Sequence, residues 1–144
     1  MAKEYKNPAL TTDIILFSCE EEPKVLLIKR KYDPFKDKWA FPGGFVEYDE
    51  ELEVAAQREL EEETNITGLC LEQLRTFGRV GRDPRGRTVS VVYYAYVETL
   101  STLNVKAQDD AKEAQWFSIK NLPELAFDHA EIMAFALKKL KMGI

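Results

Sequence analysis

One stretch, Gly43 to Ile66 (GGFVEYDEELEVAAQRELEEETNI), limits what this chain can fold into more than any other. From Glu51 to Thr64 it contains neither Gly nor Pro, and Leu, Ala, Glu, Gln and Arg dominate. These are strong helix formers, so the spacing predicts a glycine turn followed by a helix. Asp49 is the expected N-cap, and acidic residues crowd the first turn, where the helix dipole favours them. Asn65 is expected to end the helix, because Asn tolerates the left-handed conformation that a C-terminal cap requires.

At roughly 100° per residue, Leu52, Ala55, Ala56 and Leu60 form an apolar stripe suited to a core. Glu59 and Glu63 fall within that stripe and Glu62 lies at its edge. Carboxylates at i, i+3 and i+4 therefore converge on the side that ought to be buried. Like charges at this spacing repel, and burying them unpaired costs more than a helix of this size recovers. The arrangement calls for a cation. Clustered hard oxygens suit Mg²⁺ or Mn²⁺, which combine carboxylates with substrate phosphates and water. A solvated acidic face accounts for Glu51, Glu53 and Glu61. The converging glutamates differ, because they follow Gly43 and Gly44, which let backbone come close to a ligand or metal, and have Arg58 beside them.

This segment resembles the signature of the Nudix hydrolases. Gly44 is followed after five residues by Glu50, after seven more by Arg58-Glu59-Leu60, then by Glu62-Glu63 and the aliphatic Ile66. Asn65 stands where the signature has its last glycine, and Asp49 where many members have one. Both departures fall at helix ends, where Asn and Asp are good substitutes. The resemblance implies an α/β fold, specifically a Nudix-type α/β/α sandwich with a central mixed sheet. It implies hydrolysis of a nucleoside diphosphate linked to another moiety, with Mg²⁺ (or Mn²⁺) as cofactor. By position in the motif, Glu59, Glu62, Glu63 and the main-chain carbonyl of Gly43 would be metal ligands. Arg58 and Glu50 would orient them through an ion pair. The general base stays open between the helix glutamates and an acidic residue of the 109–113 loop, where Asp109, Asp110 and Glu113 stand.

Around that segment the 144 residues read as one domain, 1–144, with no repeat or linker. Residues 11–19 (TTDIILFSC), Lys24–Arg30, Leu69–Phe77, Thr88–Glu98 and Ala114–Ser118 read as strands. Asp128 to Met142 reads as an amphipathic helix. Asp128 and Glu131 make a capping-box-like start, and Ile132, Phe135, Ala136 and Leu140 form the buried stripe. Lys138, Lys139 and Lys141 suit the C-terminal dipole, with Gly143 as a stop. This order places helices on both faces of a mixed sheet. Cys19 and Cys70 sit in apolar runs and are expected as reduced core thiols. His129, the single histidine, is expected in a structural or surface role. The net charge of −5 argues against non-specific nucleic-acid binding. With no leader-like N-terminus and no stretch of membrane length, a cytoplasmic protein with neither nucleic-acid nor membrane partners is expected.

Substrate recognition must come from outside the helix. Arg30 ends a strand just ahead of the glycine turn and is either a phosphate ligand or an ordinary strand-end charge. Residues 78–87 (GRVGRDPRGR) hold Arg79, Arg82, Arg85 and Arg87, a concentration out of place in an acidic chain. Guanidinium forks suit phosphate oxygens and the glycines let a loop fold round a ligand, with a solvated hairpin turn as the alternative. Arg82 and Arg85 are the expected ligands. Tyr32, Phe35 or Trp39 offer a face for an adenine, although core packing explains Trp39 equally well. The segments FGRVGRDPRGRTVSVVYYAYV, AQDDAKEAQWF and LAFDHAEI resemble the ADP-ribose pyrophosphatase branch, which implies ADP-ribose as substrate, AMP and ribose 5-phosphate as products, and a homodimer. Nucleoside triphosphates or dinucleoside polyphosphates are the alternative substrates, and RNA decapping is disfavoured by charge. A non-catalytic ADP-ribose sensor is the alternative of another class. Sensors of that kind carry a DNA-binding domain after the Nudix part. This chain ends at Ile144 with its glutamates intact, so a hydrolase is expected.

Overall fold

The structure is a computed structural model that describes residues 6–98 and 111–142. The elements, in chain order, are β1 (Ala9–Ser18), β2 (Lys24–Arg30), β3 (Trp39–Ala40), β4 (Gly43–Phe45), α1 (Leu52–Thr64), β5 (Glu72–Phe77), β6 (Thr88–Val97), β7 (Ala111–Ser118) and α2 (His129–Lys139). All strands join one sheet, with the path β3-β2-β1-β6-β5, β4 pairing β1 and β7 pairing β2. β1 and β6 run parallel from Ala9↔Thr88 to Ser18↔Val97, and the other pairings are antiparallel. The sheet is therefore mixed, as expected.

β1 is the central strand, and its near-continuous apolar run reflects burial on both faces. Ile14 and Leu16 pack with Leu26, Val91 and Tyr93 against Ala56 and Leu60 of α1. Ile15 and Phe17 pack with Val25, Leu27 and Val92 against Ile132, Met133 and Ala136 of α2. Alternate β1 side chains thus feed two cores, one under each helix, which makes the α/β/α sandwich.

β2 leaves β1 after the single register pair Phe17↔Val25, and β4 takes the vacated edge of β1 at Thr11↔Phe45, Thr12↔Gly44 and Asp13↔Gly43. The sheet consequently divides between β1/β4 and β2/β3. The candidate site lies in that division.

Several local expectations change. The cap position of α1 is Glu51, with no side-chain cap bond, rather than Asp49. Asp128 precedes α2 but makes no capping bond, because its carboxylate is held by Arg82. Cys19 and Cys70 are both exposed. Cys19 follows the last residue of β1, and Cys70 lies in the connection to β5, which starts at Glu72, not Leu69. The apolar character of these two runs belongs to their neighbours; Leu69 and Leu71 reach the α1 core. Asp109, Asp110 and Gly143 lie outside the described residues. Among the described residues, no helix is long and apolar enough to cross a membrane.

Asn65 closes α1 with φ 66°, its amide donating to the Glu61 carbonyl at 2.9 Å. Asn65→Gly should leave the unfolding free energy nearly unchanged. Asn65→Val should lower it by about 1–2 kcal/mol, because a β-branched side chain strains the left-handed backbone. Urea unfolding of the two variants measures the difference.

Candidate functional site

The helix carboxylates are organised around Arg58. Its Nε and Nη2 donate to the Glu50 carboxylate at 2.6 and 2.8 Å, and its Nη1 donates to Glu59 at 2.8 Å and Glu62 at 3.2 Å. Nη2 also donates to the Phe45 carbonyl at 3.1 Å, tying α1 to the end of β4. This guanidinium holds Glu50 down to about 2, chiefly through the hydrogen bond, and the glutamates in turn raise Arg58 above its ordinary range, Glu50 foremost. Glu59 behaves differently. Burial pushes its carboxyl above the usual carboxylate range, with Arg58 pulling the other way.

The glycines explain why this helix can sit so close to β4. Glu63, 6% exposed, accepts a hydrogen bond from the Gly43 amide at 2.6 Å. A Cβ on Gly44 would lie 2.5 Å from Glu59 Oε2, and one on Gly43 would lie 2.1 Å from the Thr12 carbonyl. A side chain at Gly43 would push β1 away, whereas one at Gly44 would displace the Glu59 carboxylate.

Three carboxylates, Glu50, Glu59 and Glu62, thus share one guanidinium, and Glu63 lies on the same helix against the Gly43 amide. An excess of negative charge at the edge of a core fits a hard cation. Among the described residues, no three His, Cys, Asp or Glu side chains are gathered about one point for a metal. Glu59 and Glu62 are each turned onto Arg58 through one oxygen, and Glu63 onto the Gly43 amide.

Beside this cluster opens a cavity of about 360 Å³, lined by Arg58, Glu59 and Glu63 on one side and by Arg30, Arg85 and Phe127 among others. The sequence-designated recognition residues fare unequally. Arg30 lines the cavity; its Nε donates to the Pro34 carbonyl at 2.8 Å, and its guanidinium lies 4.9 Å from the Phe127 ring. Arg85 also lines it, 4.7 Å from the Phe45 ring and 4.9 Å from Phe127, with Asp83 gripping Nε and Nη2. Burial acts to raise Asp83, but the Arg85 hydrogen bonds and the Arg82 charge outweigh it and hold the carboxyl low.

Arg82 touches the cavity, yet its fork is committed to Asp128 at 2.9 and 2.7 Å in a fully buried ion pair. Arg82, expected as a phosphate ligand, also clamps the arginine loop to the start of α2. Trp39 is a correction. It does not line the cavity but packs edge-on against Phe117 at 4.7 Å in the α2-side core, because strand alternation turns Ala40 inward instead. Arg79 pairs with exposed Glu131, and Arg87 donates to the Gly78 carbonyl.

The cavity also contains residues the sequence gave no reason to select. Besides Tyr32, which the sequence offered as a stacking face, Phe41, Phe45 and Phe127 line it with rings, and Asp13 and His129 line it as well, with Ser90 hydrogen-bonded to Asp13. Phe127 holds φ at 52°, which no local pattern announces. His129 is structural, as expected. It is 3% exposed, stacks on Phe41 at 4.7 Å and accepts the Phe41 amide at Nδ1 at 3.2 Å. Burial pushes its pKa below the ordinary value, with Asp13 and Asp128 pulling upward.

Two measurements test this description. Arg82→Ala leaves Asp128 buried without its partner and should lower stability by about 3–5 kcal/mol, whereas Arg82→Met with Asp128→Leu should recover most of the loss. For His129, the unfolded chain takes up the proton first as pH falls through about 6.5, so stability is complete above that value and declines below it. The slope of unfolding free energy between about pH 7.5 and 5 should therefore be shallower in His129→Gln, which keeps an acceptor for the Phe41 amide.

Residues 7–136 match the sequence profile of the NUDIX domain. An ADP-ribose pyrophosphatase of Methanocaldococcus jannaschii is 44% identical over 129 residues, 90% of this chain and 73% of that protein. The NUDIX domain of Shewanella oneidensis NrtR, solved in complex with ADP ribose, superposes with a TM-score of 0.85 at 34% identity, covering 94% of this chain and 90% of that one. A bifunctional NMN adenylyltransferase/ADP ribose pyrophosphatase of Francisella tularensis, complexed with AMP and a manganese ion, gives 0.80 at 34% identity, covering 95% of this chain and 43% of that one.

Proposed function

Because this chain belongs to the NUDIX family, we propose that it hydrolyses the pyrophosphate of a nucleoside diphosphate linked to another moiety, with ADP-ribose giving AMP and ribose 5-phosphate. The observation that carries this reading is the placement of Glu59 and Glu63 against Gly43 and Gly44, at the mouth of a cavity that also holds Arg30 and Arg85. Negative charge in excess on one side and guanidinium groups on the other suit a phosphate held between a cation and arginine. The ADP-ribose complex and the manganese-bound relative support the substrate and the metal class.

Glu59, Glu62, Glu63 and the Gly43 carbonyl would hold Mg²⁺ or Mn²⁺. Bound there, a divalent ion supplies charge neutralisation at phosphoryl oxygens and a more acidic water. Arg58 fixes the helix glutamates relative to β4, with Glu50 anchoring its guanidinium from the far side. Arg30 and Arg85 bind pyrophosphate oxygens, and Arg82 holds the loop that presents Arg85. The proton of the attacking water goes to a helix carboxylate or to the 109–113 segment. Within that segment, Glu113 lies exposed on β7 and Asp109 and Asp110 lie outside the described residues. The family resemblance also supports a homodimer, and light scattering measures the assembly directly.

Glu63→Gln keeps an acceptor for the Gly43 amide and should leave the fold intact while lowering kcat by about 10²- to 10⁴-fold. A panel of ADP-ribose, diadenosine polyphosphates and nucleoside triphosphates with Mg²⁺ should show ADP-ribose preferred by about tenfold or more in kcat/KM. A preference for triphosphates would overturn the substrate. ADP-ribose binding without turnover would favour a sensor.

A further inference from the structure

The floor of the cavity holds a carboxylate for which metal binding and phosphate contact have no use. Asp13, on β1, is 8% exposed and lines the cavity beside Ile28, Phe41 and His129. Its Oδ2 accepts a hydrogen bond from the Ser90 hydroxyl. Its Oδ1 faces His129 Nε2 at 3.9 Å, beyond hydrogen-bond distance. No Lys or Arg among the described residues reaches it as an ion-pair partner.

The tautomer of His129 follows from its other nitrogen. The Phe41 amide donates to Nδ1, so Nδ1 carries no proton and the neutral ring bears its proton on Nε2, the nitrogen turned toward Asp13. A proton-bearing nitrogen beside the carboxylate disfavours a metal cation there. The carboxylate itself repels phosphate. A nearly buried carboxylate with one hydrogen bond, no cationic partner and an open side on a ligand cavity is matched by a neutral donor. Resting on the nucleotide-hydrolase reading of the same cavity, we propose that Asp13 determines specificity by accepting a hydrogen bond from the nucleoside part of the substrate, a ribose hydroxyl or a base N–H group. Ser90 and His129 act as positioning residues for its carboxylate. A polyphosphate lacking a nucleoside gains nothing from this contact.

The test compares wild type, Asp13→Asn and Ser90→Ala on ADP-ribose, on its hypoxanthine analogue, which replaces the base amine by a carbonyl, and on its 2′-deoxyadenosine analogue. A wild type inert on all three overturns the proposed function itself. With an active wild type, Asp13→Asn should raise KM for ADP-ribose by about tenfold, a lost charge-assisted hydrogen bond, while kcat stays within about threefold. The analogue that already lacks the contacted donor should be insensitive to the substitution, which separates the base amine from the hydroxyl. A loss that persists with both analogues assigns the donor to another hydroxyl. Asn at this position can also donate, so a switch in favour of the hypoxanthine analogue would identify the base edge. Unchanged KM on every substrate, or a fall in kcat alone, overturns the inference. Should Asp13→Asn fail to fold, Ser90→Ala, which removes the hydroxyl that orients the carboxylate, must raise KM in the same substrate pattern or the inference falls.

Discussion

The site depends on one guanidinium. Arg58 bonds Glu50, Glu59, Glu62 and the Phe45 carbonyl at once, so it sets α1 against β4 and suppresses repulsion among the glutamates. It cannot neutralise all of them. Glu59 keeps a raised pKa and Glu63 leans on a backbone amide. The helix is thus stable enough to fold with its acidic face turned inward, yet still carries the negative charge that a divalent cation would satisfy.

The second constraint is steric. Gly43 and Gly44 bring β4 within reach of both β1 and α1; a Cβ on Gly43 would meet the β1 backbone and one on Gly44 the Glu59 carboxylate. β4 in turn occupies the edge of β1 that β2 gives up. The cavity is the space left by that exchange, with Thr11 and Asp13 contributed by β1, Ile28 and Arg30 by β2 and Phe45 by β4. The arginine loop closes it from the other side because Arg82 is locked to Asp128 at the start of α2. One buried ion pair therefore places Arg85, which has no rigid element of its own.

Local pattern and tertiary packing divided the information unevenly. The stripe of α1, the left-handed Asn65 and the convergence of Glu59 and Glu63 all follow from helical periodicity, which a sequence displays directly. β1, β2, β5, β6 and β7 were legible in the same way, with ends shifted by a few residues, but β3 and β4 were not, being too short to display a period. Arg82 and Arg85 were indistinguishable in sequence, since both are arginines in a glycine-rich loop. Only the carboxylates of Asp128 and Asp83 separate them, and one of these lies far along the chain. Trp39 looked like a candidate base platform until strand alternation turned it toward Phe117. Cys19 and Cys70 misled because apolar neighbours were read as burial of the thiols themselves.

The sequence by itself determined the glutamate-rich helix, its glycine approach and the need for a positive partner, because charge and spacing within one element are fixed by covalent geometry. It determined the mixed sheet for a similar reason, since period-2 and period-3.6 segments alternate along the chain. The floor of the cavity was decided only by tertiary structure. Asp13, Ser90 and His129 come from β1, β6 and α2, are far apart in sequence, and are brought together by the parallel pairing of β1 with β6 and the docking of α2 on the sheet, Ser90 bonding Asp13 and His129 lying beside it. No local signal marks such a cluster, because its chemistry exists only where burial removes water from all three side chains together.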